Sequence, residues 1–311
     1  MRAKTAIITL SIVAAAVLAT LFIASQNIFT QGQQDSETVA VTWGLLGEVV
    51  HRLTDGTVTV YQILPPGAEI HDWEPAPDVL EKVRNSRILF WTVEGFDDWG
   101  EKLAASANVK AFKVSTGVEL MPYENGHGDA MNHEHIIGAY DPHFWLDPER
   151  FAAVVRNMAQ ILSDEFPEKK EAIQKNSEAY IREILQLRQQ FEEALSRHRG
   201  KTFITQHNAF RYLATAFGLE TVAVLSGEEE EPSAAHLAEI YELIERNGVK
   251  TIFAEDGSIS PVLENIARDL GMEIKTLYTM ETLHYDDYLR GQGYIMKMRH
   301  NLSALVDTFE H

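Results

Sequence analysis

The chain has 311 residues, which is the length of about two domains rather than one small one. Hydrophobic residues make up 45% of the chain and charged residues 23%, a composition that is typical of globular proteins and excludes disorder throughout. With 46 acidic and 27 basic side chains, the formal net charge of -19 would repel a nucleic-acid backbone. Because cysteine is absent, any metal site must be built from His, Asp and Glu.

The N-terminal segment has the layout of an export signal. Arg2 and Lys4 precede an apolar run from Thr5 to Ala24. A run of about 20 residues is also long enough to span a bilayer, so cleavage and retention as an anchor both stay open. We assign residues 1–25 to a signal sequence or membrane anchor and residues 26–37 to a polar tether. The body of the protein is therefore expected outside the cytoplasm, in the periplasm or at the outer face of the cytoplasmic membrane.

From Val39 onward, short β-branched runs alternate with helical stretches, which predicts α/β lobes with mostly parallel sheets. The predicted strands are Val39–Thr42, Val58–Leu64, Ile88–Val93, Thr202–Thr205, Thr221–Leu225, Thr251–Ala254 and Ile274–Tyr278. The predicted helices include Leu45–Leu53, Asp78–Asn85, Ala234–Arg246 and Pro261–Leu270. The two halves share this pattern, so we expect two similar lobes.

A long helix is predicted between the two halves. No Pro or Gly occurs between Pro167 and Gly200, and apolar residues such as Ile173, Tyr180 and Ile184 recur there at helical spacing. A helix of this length extends for roughly 45 Å, which is enough to run along both lobes and limit their opening. The body is accordingly divided into an N-terminal lobe (38–166), a linking helix (167–200) and a C-terminal lobe (201–311).

Three histidines are predicted near the carboxyl ends of strands. His71 lies in the loop PPGAEIHDWEPAP, His143 lies in DPHFWLDP, and His207 comes directly after a predicted strand. In parallel sheets, ligands bind beyond the carboxyl ends of the strands, so the three side chains are expected to meet in the cleft between the lobes. Three neutral imidazoles and one oxygen ligand form a four-coordinate site that suits Zn²⁺. Asp141 and Asp147 are candidates to accept the second ring N–H of a ligand histidine.

A family resemblance is carried by four segments, PPGAEIHDWEPAP, DPHFWLDP, TQHNAFRYLATAFGL and EEEPSAAHLAEI. They resemble the zinc- and manganese-binding solute receptors of ABC importers, the cluster A-I or zinc-uptake family, from about Val39 to the C-terminus. The resemblance implies two α/β lobes linked by a long helix, with the metal between them. It also implies metal ligands at His71, His143 and His207, and a membrane permease with a cytoplasmic ATPase as partners.

The resemblance favours zinc over manganese as the metal. Zinc-type members carry His at the position of His207, where manganese-type members usually carry Glu, and nitrogen ligands favour zinc. The fourth ligand is expected at Glu281 in the segment LYTMETL, whereas manganese-type members have Asp one position earlier, where this chain has Met280. Glu255 and Asp256 are the alternative oxygen ligands, and water is a further one.

The segment ENGHGDAMNHEH resembles a shortened form of the His-rich loop of many zinc-type receptors. That resemblance implies that His127, His133 and His135 collect or deliver metal. The alternative is a solvated loop whose histidines occur there by chance.

The predicted function is capture rather than catalysis, by a monomeric extracytoplasmic receptor that binds Zn²⁺ and delivers it to an ABC-type importer. A manganese-specific receptor of the same family and a metal-binding surface adhesin are the alternatives. An enzyme is not expected, because the run His133 to His135 fails the H-E-x-x-H pattern at Ile137 and the sequence contains no P-loop or G-x-S-x-G elbow.

Overall fold

Two four-stranded parallel sheets form the frame of the molecule. The computed structural model describes residues 36–68, 70, 73–123, 140–225 and 232–310. The first sheet has the order β2-β1-β3-β4 and consists of β1 (Thr38–Val41), β2 (Thr59–Gln62), β3 (Ile88–Trp91) and β4 (Lys110–Lys113). The second has the order β6-β5-β7-β8 and consists of β5 (Thr202–Thr205), β6 (Glu220–Ala223), β7 (Thr251–Glu255) and β8 (Glu273–Leu277). The predicted α/β class with two similar lobes is confirmed.

Helices cover the sheets, as parallel strands require. Those that the structure describes are α1 (Gly44–Thr54), α2 (Pro77–Arg84), α3 (Trp99–Ala107), α4 (Pro148–Glu165), α5 (Lys170–Leu195), α6 (Arg211–Phe217), α7 (Ala234–Asn247), α8 (Pro261–Leu270), α9 (Tyr285–Leu289) and α10 (Tyr294–Glu310). Within the described ranges, no helix is long and apolar enough to cross a membrane. The predicted signal segment 1–25, and the tether up to residue 35, lie outside those ranges.

The central strands are buried on both faces. All four residues of β3 and all five of β7 are buried, and both strands are short apolar runs, as expected for the middle of a covered parallel sheet. The edge strand β4 was not predicted. Its sequence KAFK begins and ends with lysine, and a half-exposed edge strand lacks the apolar run by which β3 is recognised.

The helix α5 is the predicted connector, and it has 26 residues. A 3₁₀ turn at Pro167–Lys169 precedes it and another at Ser196–His198 follows it. Its buried face includes Ile173, Tyr180 and Leu187, at the helical spacing read from the sequence. One hydrophobic cluster contains residues of both sheets and of this helix. The domain boundaries at 166 and 201 stay predictions.

The segment after β8 returns to the first lobe. The backbone N–H of Tyr285 donates to Gln62 Oε1 on β2 at 2.8 Å. The backbone N–H of Tyr294, at the start of α10, donates to Glu48 Oε2 on α1, also at 2.8 Å. The lobes are therefore joined by this segment as well as by α5.

Candidate metal site

Two histidines and one glutamate converge between the lobes. The ligand atoms of His143, His207 and Glu281 all lie within 4.8 Å of one another, and all three residues are buried. His143 Nε2 is 2.9 Å from Glu281 Oε1 and 3.4 Å from His207 Nε2. His207 Nε2 is 3.6 Å from Glu281 Oε2.

Each of the three side chains is placed by a local feature of the sequence. His207 lies two residues beyond β5, and Glu281 lies four residues beyond β8, so both project from the carboxyl end of the second sheet. His143 follows no strand, contrary to the sequence-based expectation. It comes directly before the 3₁₀ turn Phe144–Leu146, because the prolines of DPHFWLDP break regular structure on both sides of it.

A carboxylate fixes the tautomer of His143. Asp141 Oδ1 accepts a hydrogen bond from His143 Nδ1 at 2.8 Å and another from the backbone N–H of His143 at 3.0 Å. When Nδ1 carries the proton of a neutral ring, the lone pair lies on Nε2, which is the atom turned toward His207 and Glu281.

A second carboxylate does the same for His207. Glu255 Oε2 accepts from His207 Nδ1 in a close contact, and Oε1 accepts from the backbone N–H of His207 at 2.9 Å. The sequence analysis named Glu255 only as an alternative metal ligand. The structure instead turns Glu255 to the ring nitrogen that faces away from the cluster. This arrangement arises because β5 and β7 are neighbours in the sheet, which the sequence does not reveal.

The assignment of Asp147 as a histidine partner is wrong. Its Oδ1 accepts from the backbone N–H of Glu149 at 2.9 Å, and its Oδ2 pairs with Arg150. An aspartate directly before a proline at the first helical position is a helix N-cap, and Asp147 caps α4 in this way.

The other alternative ligand, Asp256, is also held elsewhere. Its Oδ2 accepts a hydrogen bond from Thr279 Oγ1 at 2.7 Å. It does not belong to the group formed by His143, His207 and Glu281.

The spacing of the three ligand groups fits a tetrahedral metal ion. Zinc–nitrogen bonds of 2.0–2.1 Å in tetrahedral geometry place neighbouring ligand atoms ~3.3 Å apart. The two Nε2 atoms are 3.4 Å apart, close to that value. The two carboxylate oxygens of Glu281 lie at 2.9 Å (Oε1 to His143 Nε2) and 3.6 Å (Oε2 to His207 Nε2). Two neutral rings whose Nδ1 protons are donated elsewhere cannot hydrogen-bond to each other through Nε2, but their two lone pairs can share a cation.

The carboxylates also control protonation of the rings. Burial lowers the pKa of His143, but the charge of Glu281 and the hydrogen bonds to Asp141 and Glu281 outweigh it and raise the pKa to about 10. Burial likewise lowers the pKa of His207, and Glu255 and Glu281 raise it to about 9. Without metal, both rings therefore carry an extra proton at neutral pH, at the position where a cation would bind.

The remaining residues singled out in the sequence lie outside the described part of the chain. They are the loop histidine His71 and the three histidines of the predicted metal-collecting loop, His127, His133 and His135.

Comparisons with known proteins agree with this architecture. The family model described as "ZnuA: Zinc-uptake complex component A periplasmic" matches residues 39–308. The zinc-binding lipoprotein AdcA of Streptococcus pneumoniae is 30% identical over 310 residues, covering 96% of this chain and 60% of that protein. The high-affinity zinc uptake system protein ZnuA of Bacillus subtilis is 31% identical over 303 residues, covering 93% of each chain.

Among solved structures, the Zn(II)-bound ZnuA-like domain of Streptococcus pneumoniae AdcA superposes with a TM-score of 0.73 at 31% identity. The superposition covers 88% of this chain and 99% of that one. The chain spans about 60% of the length of the AdcA proteins of Streptococcus pneumoniae and 53% of those of Streptococcus pyogenes.

Proposed function

Since this chain belongs to the family of zinc-uptake complex component A, we propose that it is an extracytoplasmic receptor that captures Zn²⁺. The observation that carries the proposal is the pair of buried histidines, each with Nδ1 on a carboxylate and Nε2 facing Glu281. Such carboxylate–histidine pairs orient the rings and increase their basicity as metal ligands. Two relatives whose names state that they bind or take up zinc support the choice of metal.

The proposed ligands are His143, His207 and Glu281, with His71 as the fourth. His71 is assigned from the family resemblance of the segment PPGAEIHDWEPAP. The carboxylate of Glu281 neutralises one of the two charges of the ion, and Asp141 and Glu255 compensate the remainder through the rings. This set of nitrogen ligands with one oxygen ligand favours Zn²⁺ over Mn²⁺, which prefers oxygen ligands.

The proposed role is capture and delivery without turnover. The partners would be an ABC importer permease and its cytoplasmic ATPase, and the receptor would act as a monomer outside the cytoplasm, exported or anchored by residues 5–24. The division into lobes at 38–166 and 201–311, joined by the helix 167–200, is part of this proposal. The fully buried ligands imply that the ion is sequestered from water until the permease receives it.

A competitive titration of the metal-stripped protein with Zn²⁺ and Mn²⁺ tests the proposal. We expect tight one-to-one zinc binding, weaker manganese binding, and loss of zinc binding in His207→Ala and Glu281→Ala. His300→Ala is the matched control, because His300 lies on α10 with its ring bonded to Thr276 O at 3.2 Å, away from the cluster. A parent protein that binds neither metal tightly would overturn the proposal and favour the adhesin alternative.

A further inference from the structure

The segment that carries Glu281 rests directly on the first lobe at Gly44. Gly44 is the first residue of α1 and is buried. A Cβ atom at this position would lie 1.9 Å from the carbonyl oxygen of Leu283 and 2.9 Å from the carbonyl carbon of His284. Both neighbours are backbone atoms, so no side chain fits unless the segment moves. Only glycine permits this close approach.

Two side chains of the first lobe hold the same segment. Gln62 Oε1 accepts the backbone N–H of Tyr285 at 2.8 Å, and His51 Nδ1 is hydrogen-bonded to the Tyr285 hydroxyl at 2.5 Å. On the N-terminal side of Glu281, the indole N–H of Trp145 donates to the carbonyl of Thr279 at 2.7 Å. Attachments to the first lobe therefore flank Glu281 on both sides.

The backbone between these attachments is strained. Met280 is fully buried and has a φ of 71°, a left-handed conformation that is unfavourable for a residue with a side chain. The backbone N–H of Leu283 donates to the carbonyl of Met280 at 2.9 Å and closes a tight turn around Glu281. Such a conformation persists only where the surroundings impose it, so the position of Glu281 depends on what holds the turn.

Contacts with the second lobe hold the turn as well. Thr279 Oγ1 donates to Asp256, and the side chain of Thr282 is also hydrogen-bonded to Asp256. Asn301 Oδ1 accepts the backbone N–H of Tyr278 at 2.7 Å. Beyond Thr279, Leu283 and Tyr285 contact the first lobe.

We propose that Gly44 is a positioning residue for Glu281, an inference that rests on the proposed zinc-binding function. The close approach at Gly44 ties the Glu281 turn to the first lobe, although β8, from which the turn projects, belongs to the second sheet. The turn is thereby held by both lobes, and the position of Glu281 relative to His143 depends on the contact at Gly44. Displacement of the Leu283 carbonyl would withdraw the carboxylate from the two rings without removing any ligand from the chain.

A double-mutant cycle tests this on zinc affinity. The dissociation constant for Zn²⁺ is measured for the parent, Gly44→Ala, Glu281→Gln and the double variant. Gly44→Ala should weaken binding by about 10- to 100-fold, the usual cost of disturbing the support of a ligand. In the Glu281→Gln background, Gly44→Ala should weaken zinc binding by less than about twofold, because both substitutions then affect the same interaction.

Gly100→Ala is the control for a packing clash in the same lobe. A Cβ at Gly100 would lie 2.4 Å from Thr42 Cγ2, a side-chain atom of the first lobe rather than the backbone of the Glu281 turn, so this variant should lose stability and keep parent-like affinity. If Gly44→Ala does not fold, Gln62→Ala takes its place in the cycle, since it removes the acceptor for the Tyr285 N–H together with the hydrogen bond from Gln62 Nε2 to the Leu64 carbonyl.

The outcomes separate the inference from the function on which it rests. Parent-like affinity in both Gly44→Ala and Gln62→Ala, with a parent that binds zinc, overturns the inference and leaves the receptor function standing. An equal loss in the parent and Glu281→Gln backgrounds also overturns it, because the effect would not pass through Glu281. A parent that binds no zinc overturns both.

Discussion

The two carboxylates behind the histidines orient both rings of the proposed zinc site. Asp141 and Glu255 each accept from a ring Nδ1 and from the backbone N–H of the same histidine. Each thus fixes the position, the orientation and the tautomer of one ligand. The site is therefore largely formed before the metal arrives.

Replacing Glu255 with glutamine should weaken zinc binding by about 10- to 100-fold. One amide oxygen cannot replace both carboxylate oxygens, so either the ring N–H or the backbone N–H of His207 would face an NH₂ group. Chelator competition measures the change. Asp147→Asn is the control, because asparagine retains the helix cap away from the ligands. Parent-like affinity in Glu255→Gln would show that the contact does not support the ligand.

Zinc binding should release about two protons at pH 7, one from each ring of the pair. The pKa values of His143 and His207 are raised to about 10 and about 9, so both rings are protonated below pH 9 and must lose a proton to bind metal. Apparent affinity should consequently rise with pH between about 7 and 9, over a range that lies above the ordinary histidine pKa near 6.5. Calorimetric titration in buffers of different ionisation enthalpy counts the protons.

Glu281→Gln is the control for this count. The charge of Glu281 raises the pKa of both rings, so its removal should reduce the number of protons released at the same pH. If the parent releases almost no protons on binding zinc, the rings of His143 and His207 are not protonated in the metal-free protein, and this prediction is wrong.

At the level of elements, α5 derives its stability from one buried apolar face. Ile184→Ala and Leu187→Ala should each destabilise the metal-free protein by about 2–5 kcal/mol, because each leaves a cavity in the core. Leu185→Ala on the same helix is the matched control. Its side chain is 42% exposed, so the change should stay within about 0.5 kcal/mol. Denaturant unfolding in the presence of a chelator measures the free energy of unfolding of each variant. An equal loss in the Leu185→Ala control and in the two buried-site variants would contradict the assignment of the buried face.

The sequence predicted elements well where the signal is local. The strand Thr202–Thr205 and the helix Pro261–Leu270 have the predicted bounds, since an apolar run defines the first and a Ser-Pro start with a Gly end defines the second. The sequence identified His143 and His207 as candidate ligands and Asp141 as a partner of a ligand ring, because each lies in a short motif that can be read locally. The role of Glu255 could not be found, because it depends on which strands are neighbours, and the Gly44 contact joins residues more than 200 positions apart.

At the scale of the whole molecule, the two lobes share one hydrophobic cluster, and each lobe has a further cluster of its own. Phe90 of the first sheet, Leu187 of α5 and Phe253 of the second sheet belong to the same hydrophobic cluster. Glu48 is fully buried where α1, α5 and α10 meet, and it accepts from the Tyr180 hydroxyl at 2.9 Å and from the backbone N–H of Tyr294. The lobes therefore should not unfold separately.

Scanning calorimetry should show a single unfolding transition that zinc moves to higher temperature. Free zinc at 100 times the dissociation constant adds about 2.7 kcal/mol to stability, because the ion binds the folded state. Glu281→Gln should lose most of this gain at the same zinc concentration while retaining one transition. Two separated transitions would contradict the shared core.

The return of the chain after β8 to the first lobe also has a consequence for the order of assembly. Tyr285 and Tyr294 bind partners 223 and 246 positions earlier in the chain. In N-to-C order the first lobe, with His143 in place, emerges long before the segment that carries Glu281. The proposed zinc site accordingly lacks its carboxylate until both lobes have emerged, and it is completed only when the polypeptide has closed on itself.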